Sequence, residues 1–442
     1  MTETRLTAAT RILRLLAALG IDRAHFGAQI ASDLNPILAG RPETVASLTL
    51  LGPIRLEPET LAPLGQRLLL CSGDAGPQAE AEARTRALIP EARRLAFPGT
   101  YVNAWSDTAA DHTAAVLDAM RALLAAAERA HPASRLSPAV RQGEVAGITW
   151  RIDGEGPALV LLPLLLAPRQ WTPLVEALSR SYSVVRLGGP ELGMVRLLET
   201  RGSTPGYLRI VATIVDEMAL APGERVLDVG CGTGALDRWL ARRSGGANPI
   251  TAVDLNPFLL EEARALTARA GLDDAIECGE GNAEALPFPD GAFDAAMSHT
   301  VMEEGDADAM LAEMLRVVRP GGRVAAMVRG VDLPFLWNLE LPPAIKARIE
   351  APIRSIGEKG CADASLYRRF ADSGLVDLRL FPHVMTADDP DGPIVSYYEP
   401  HVLSLLDAEE RELWHRAKAK AVAEGTFLFC RTHHCAVGTK PG

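Results

Sequence analysis

The stretch GCGTG at 230–234 follows the apolar run RVLDV and precedes TGALDRWLARRS, which has a helical pattern. Glycines let a chain turn sharply and let a ligand approach the main chain closely. The amides that open the next helix point into such a turn. It therefore suits a pyrophosphate, or equally a carboxylate and a sugar edge. Asp254 ends the next apolar stretch, twenty residues past Gly234. An acid in that place binds the two hydroxyls of a ribose. The pair describes a site for a nucleoside-bearing cofactor. Ala235 occupies a position where a dinucleotide turn takes glycine or alanine, so these residues alone leave a nicotinamide dinucleotide open. Cys231 reads as a small turn residue rather than a nucleophile, and Asp228 as either a ligand contact or a solvated strand end.

From about residue 201 short strands and helices alternate. TPGYLRIVATIVDEMAL reads as a helix, RVLDVG as a strand, NPITAVDL as a strand and NPFLLEEARALTARAG as a helix. AIECGEGNA and AFDAAMSH read as strands, DADAMLAEMLRVVRP as a helix and GGRVAAMVRG as a strand. Alternation with nearly continuous apolar strands predicts a parallel, doubly wound α/β sheet. The tail GTFLFCRTHHCAVGTK reads as a final strand or hairpin at the sheet edge. Polar, Pro-bearing stretches at 128–143 and near 201–206 read as linkers.

VLDVGCGTG, AVDLNPFLLEEAR, GNAEALPFPDGAFDAA and LAEMLRVVRPGGRV, in that order, resemble the class I S-adenosylmethionine-dependent methyltransferases. The resemblance is strong over 201–330 and loose over 331–442, and is nearest to enzymes acting on small molecules such as quinones and sterols. It implies a Rossmann-like sheet and S-adenosyl-L-methionine as cofactor. Asp228 and the backbone of Gly230, Cys231, Gly232 and Gly234 would face the methionine part. Asp254 would hold the ribose, with Leu255 flanking the adenine. Asn282 and Ala283 stand where the family usually has Asp-Ala. Ser298 would approach the cofactor, and Tyr207 would close over it. A base is needed only for a poorly ionised acceptor. His299, Glu303 and Glu304 are the candidates, although VMEEGD departs from the histidine the family often places there. A substrate cover is expected at 331–357, with Tyr397, Tyr398 and His401 as further candidates.

Residues 7–54 resemble the centre of an α/β-hydrolase, and 143–194 resemble the beginning of that fold. The order is reversed, so 1–200 is expected to be a circularly permuted α/β-hydrolase-like domain joined through 128–143, followed by a methyltransferase domain at 201–442. Its chemistry is not expected to survive. AHFGAQIA lacks the serine of a nucleophile elbow. Gly76 replaces the acid, with Asp74 nearby. Tyr101 or Val102 falls at the histidine, and Pro163-Leu164 replaces the oxyanion-hole pair. His25 and His112 are then structural or solvent-facing. The domain would bind substrate, mediate dimerisation or cap the methyltransferase.

The formal net charge of −11 argues against nucleic acid as a partner. PALVLLPLLLAP at 157–168 is too short to insert across a bilayer, which takes about 20 apolar residues. Six scattered cysteines without a CxxC pair suit a reducing, cytoplasmic setting. In CRTHHC at 430–435 alternate side chains would point to opposite faces, so no metal site is expected. The expectation is a small-molecule methyltransferase, with a homodimer as a candidate assembly. The alternative is a cofactor-binding regulatory or scaffolding protein that does no chemistry.

Overall fold

The computed structural model describes residues 6–29, 31–53, 56–74, 77–99, 107–164, 168–353 and 356–442. The chain divides into two compact units, Met1–Arg196 and Leu197–Gly442.

The first unit is built on one sheet. Across it the strands run Gln142–Val145, Ile148–Asp153, Ser183–Gly188, Gly156–Leu161, Ala24–Ala28, Val45–Leu51, Leu68–Gly73 and Arg93–Phe97. The last six are mutually parallel, whereas Ile148–Asp153 is antiparallel to both of its neighbours. Strands such as Val45–Leu51 are buried at every position, as a parallel sheet covered on both faces requires. The stretch 128–143 is not a free linker. Helix Thr113–Ala130 runs into it, and Arg135–Leu136 pairs with Gly156–Pro157. The Ser134 hydroxyl accepts the Asp22 and Arg23 amides, so its polarity serves local hydrogen bonds rather than solvent.

No nucleophile stands at the expected elbow. Gln29, directly after strand Ala24–Ala28, is buried and donates to the Gly52 carbonyl at 3.0 Å. His25 is buried between the Ser47 hydroxyl at 2.8 Å and the Glu128 carboxylate at 2.9 Å, which makes it a core tie. His112 stacks on Phe97 at 4.0 Å. Asp74 accepts the Gly99 amide. Gly76, Tyr101 and Val102 lie outside the described residues.

In the second unit the sheet order is Ile276–Glu280, Ile250–Asp254, Val226–Val229, Phe293–His299, Val318–Arg329, then Phe429–Thr439. The first five are parallel. From the central strand Val226–Val229 the chain winds outward one way, then returns to the other side. That reversal leaves a crevice at the carboxyl ends of Val226–Val229 and Phe293–His299, where such sheets bind ligands. Alternate strand residues feed two cores. Val226, Ala295, Met297, Ala325 and Met327 pack under helix Pro205–Met218, and Leu227, Val229, Ala296, Val324 and Ala326 pack on the opposite face. Local caps start the helices where the pattern predicts. Asn256 accepts the Phe258 and Leu259 amides ahead of Pro257, and Asp306 caps Ala307–Val317.

Two expectations change here. The tail strand Phe429–Thr439 is interior, not an edge. It pairs antiparallel with Val318–Arg329 on one side and with Val376–Ala387 on the other. Val376–Ala387 takes the edge instead, and Pro382, which has no N–H to give, is tolerated there. RGSTPG is no loop either. Helices Gly193–Ser203 and Pro205–Met218 meet at Thr204, because Pro205 ends one helix and opens the next.

Candidate functional site

The turn begins where strand Val226–Val229 ends. Gly230, Gly232 and Gly234 have φ of +82°, +58° and +71°, a region that side chains disfavour. At Gly230 the requirement is steric as well, since an added Cβ would sit 2.2 Å from Val301 Cγ2. The glycine thus lets the loop after the fourth strand close against the turn. Gly234 passes the chain into helix Ala235–Arg243.

Asp254 locks this turn to its neighbour. One carboxylate oxygen accepts the Gly232 amide and the other the Asn256 amide, each at 2.8 Å. A carboxylate has about four lone-pair sites, so both oxygens can still accept a hydroxyl. Burial pushes the Asp254 carboxyl above its ordinary range, and the backbone amides oppose that. Leu255 beside it is 63% exposed, a large apolar side chain left open next to a polar turn. Asn282 turns its Oδ1 back onto the Glu284 amide at 2.9 Å, with Ala283 buried beneath. Ser298 is buried and donates to the Val229 carbonyl at 3.0 Å, tying the two crevice strands together. Cys231 is held protonated by burial and by Asp237, Asp254 and Asp228, so it is no nucleophile.

Toward the other side of the crevice, polar groups lie in an otherwise apolar face. Asp228 is buried, and its Oδ1 has no hydrogen-bond partner. His299 Nδ1 stands 3.7 Å from that oxygen, and neither ring nitrogen is bonded. Burial lowers the His299 pKa to about 4, so the ring is neutral at pH 7. Tyr207 is wholly buried with an unpartnered hydroxyl, and its ring meets His433 edge-on at 6.0 Å. Leaving buried polar atoms unpaired costs about 1–3 kcal/mol each. Several of them gathered in one face call for an explanation, and a ligand that binds there is one such explanation.

Asp237 was not expected here. In the sequence it is one acid in a helical first turn. In the structure it is wholly buried beside Asp228, and neither of its oxygens finds a donor. Burial, then repulsion from Asp228, raises its pKa well above the ordinary carboxyl range. A proton shared between the two carboxyls would relieve that repulsion. Only non-local packing reveals this pair.

The two glutamates meet an arginine. Glu303 Oε1 accepts from the Arg329 amide at 2.8 Å and its Nε at 3.2 Å, and Glu304 pairs with Arg329 at 3.5 Å. Both hold an arginine, Glu303 Oε2 is buried without a partner, and His299 is the candidate that faces Asp228. Within 331–357, Trp337 is wholly buried against Trp414 at 5.0 Å and Phe429 at 4.4 Å. That indole is core. Phe335 and Tyr398 stand edge-on to each other at 5.4 Å over the same strand, while Tyr397 is exposed. His433 turns to Tyr207, whereas His434 turns to Tyr367 and Asp332 at 2.8 Å each. The two histidines thus lie on opposite faces of the strand.

A family described as a methyltransferase domain matches residues 226–322. The ubiquinone/menaquinone biosynthesis C-methyltransferase UbiE of Cronobacter sakazakii is 31% identical over 189 residues, covering 42% of this chain and 72% of that one. The chain belongs to the class I S-adenosylmethionine-dependent methyltransferases. This methyltransferase is also 30% identical over 158 residues to the uncharacterized methyltransferase YodH of Bacillus subtilis, covering 36% of its own length and 63% of YodH. It is 37% identical over 114 residues to UbiE of Hahella chejuensis, covering 26% and 46% respectively. It thus spans less than two thirds of these two relatives. Among solved structures, the YcgJ protein of Bacillus subtilis is similar at 15% identity and a TM-score of 0.37, with 53% of this chain and 99% of that one covered. Among the described residues of this methyltransferase, no helix is long and apolar enough to cross a membrane.

Proposed function

We propose that this protein transfers a methyl group from S-adenosylmethionine to a small-molecule acceptor. The observation that carries the proposal is the crevice itself. A three-glycine turn and Asp254 stand at the carboxyl ends of the central strands, and Asp228, Tyr207 and His299 are buried nearby in the fold with unpartnered polar atoms. These residues fit the cofactor. The turn admits a ligand against its backbone, Asp254 has acceptor capacity for two hydroxyls, and the orphaned Asp228 oxygen suits an ammonium donor. When bound, S-adenosylmethionine supplies an activated methyl group on a sulfonium sulfur. The protein's part is alignment, which accounts for much of the rate of such transfers. Tyr207 and the loop at Val301 exclude water. His299, neutral and unbonded, accepts the proton-bearing edge of the acceptor at Nδ1 or Nε2. Asp237 holds a proton toward Asp228 and fixes that carboxyl.

The first unit is best read as a permuted, non-catalytic α/β-hydrolase-like domain. Counted from Gln142, the eight strands cross its sheet in the order 1-2-4-3-5-6-7-8, with one local swap. Counted from Ala24, the order breaks in the middle, as expected where old termini have been joined and new ones cut. Gln29 in place of a nucleophile supports the loss of hydrolysis. The six free cysteines suit a reducing, cytoplasmic setting.

The test is a panel of phenolic, quinol, amine, thiol and carboxylic acceptors with methyl-labelled cofactor. Label in product, lost in Asp254→Ala, supports the proposal. Cofactor binding without transfer to any acceptor would favour a scaffolding or regulatory protein.

A further inference from the structure

The face that carries His299 continues across the sheet. Arg329 and His433 are directly opposed across the antiparallel pair, so their side chains share that face with Tyr207. Arg431 lies two residues before His433, hence on the same face. It is 6% exposed. Its guanidinium lies 5.5 Å from the Phe335 ring centre and 5.4 Å from that of Tyr398, and it donates to the Tyr398 hydroxyl. Its Nε has no partner.

The charge balance at this place is unusual. Arg329 is matched by Glu303 and Glu304. Among the described residues, no ion pair joins Arg431 to any carboxylate. A buried guanidinium without a counter-ion is costly, and two aromatic rings offset only part of the cost. His433 beside it cannot help. Burial and then Arg431 drive its pKa well below the ordinary range, so it stays neutral with Nδ1 unbonded. A planar guanidinium with an unpartnered Nε–H suits a carboxylate or phosphate.

Resting on the methyltransferase reading above, we infer that the acceptor carries an anionic group, a carboxylate or a phosphate, anchored by Arg431. The anchor stands on the far strands of the sheet, across Tyr207 and His433 from the glycine turn. An acceptor held there by its charge would lay its other end toward His299 and the crevice. A neutral quinol would leave the guanidinium unmatched.

The test uses the full chain saturated with S-adenosylhomocysteine, so that the cofactor's own carboxylate is already in place. Benzoate, phenyl phosphate and the neutral benzamide are then titrated by calorimetry. At least one anion should bind tenfold or more tightly than benzamide, and Arg431→Met should abolish that preference. Arg416→Met should keep it, because that exposed arginine pairs with Glu412 along its own helix. Equal binding of anions and benzamide by the wild-type protein would overturn the inference, whatever the variants do. So would an anion preference that survives in a folded Arg431→Met or Arg431→Gln. Failure of S-adenosylhomocysteine to bind would count instead against the methyltransferase reading, and the two failures are read in separate titrations.

Discussion

Gly230→Ala probes the tightest point of the turn. Two costs can be worked from the structure. The residue sits at φ +82°, and a side chain in left-handed backbone costs roughly 1–2 kcal/mol. The new Cβ would lie 2.2 Å from Val301 Cγ2, 2.8 Å from Cγ1 and 3.0 Å from Cβ. Such overlap forces a shift of more than an ångström, and overpacking of this kind costs about 1–3 kcal/mol. The sum is a loss of about 2–5 kcal/mol. The two parts separate in a double-mutant cycle. Val301→Ala removes both Cγ atoms and leaves only the 3.0 Å contact. In that background Gly230→Ala should cost about 1–2 kcal/mol less, with the backbone part remaining. Urea unfolding of the four proteins, followed by circular dichroism and tryptophan fluorescence, measures the cycle. A loss below about 1 kcal/mol, or no coupling to Val301, would refute the close approach of turn and loop.

Asp254→Ala removes the acceptor of the Gly232 and Asn256 amides along with the ribose partner. Hydrogen bonds to a charged group contribute about 1.5–3 kcal/mol each, so S-adenosylhomocysteine should bind at least about a hundredfold more weakly by calorimetry. Asp237→Asn tests the buried acid pair. A raised carboxyl pKa means that the folded state holds its proton longer, so this acid's contribution to stability falls as pH rises above the unfolded value of about 3.9. The variant should therefore gain on wild type between pH 4.5 and 7.5 in urea titrations, and a pH-independent difference would contradict the burial argument. His25→Ala should destabilise the first unit by about 2–4 kcal/mol in thermal and urea melts, because it leaves Ser47 and Glu128 without their shared partner.

The turn and its acid were legible because their physics is local. Three glycines, an aspartate at the next strand end and an Asn-Pro cap each announce themselves over a few residues. Helix and strand positions through 201–330 followed from apolar patterning for the same reason. The edge position assigned to Phe429–Thr439 failed because its outer neighbour, VDLRLFPHVMTA, has an exposed face and a proline and so lacks a strand signature. RGSTPG looked like a linker because proline, serine and glycine punctuate loops, yet Pro205 also fits the first turn of a helix. Asp237 stayed hidden because nothing in its neighbourhood marks it, and CRTHHC drew attention to Arg431 and His433 only as neighbours of a metal-like string. Each becomes unusual only when the fold buries it without a partner. The pairing of Glu303 and Glu304 with Arg329, a strand away, was hidden for the same reason.

The most direct measurement is calorimetric titration of the wild-type chain with S-adenosylhomocysteine, paired with Asp254→Ala. The account predicts saturable one-to-one binding by the wild type and its near loss in the variant, with both proteins folded. No heat and no thermal stabilisation of the wild type, or equal affinity in the variant, would contradict it.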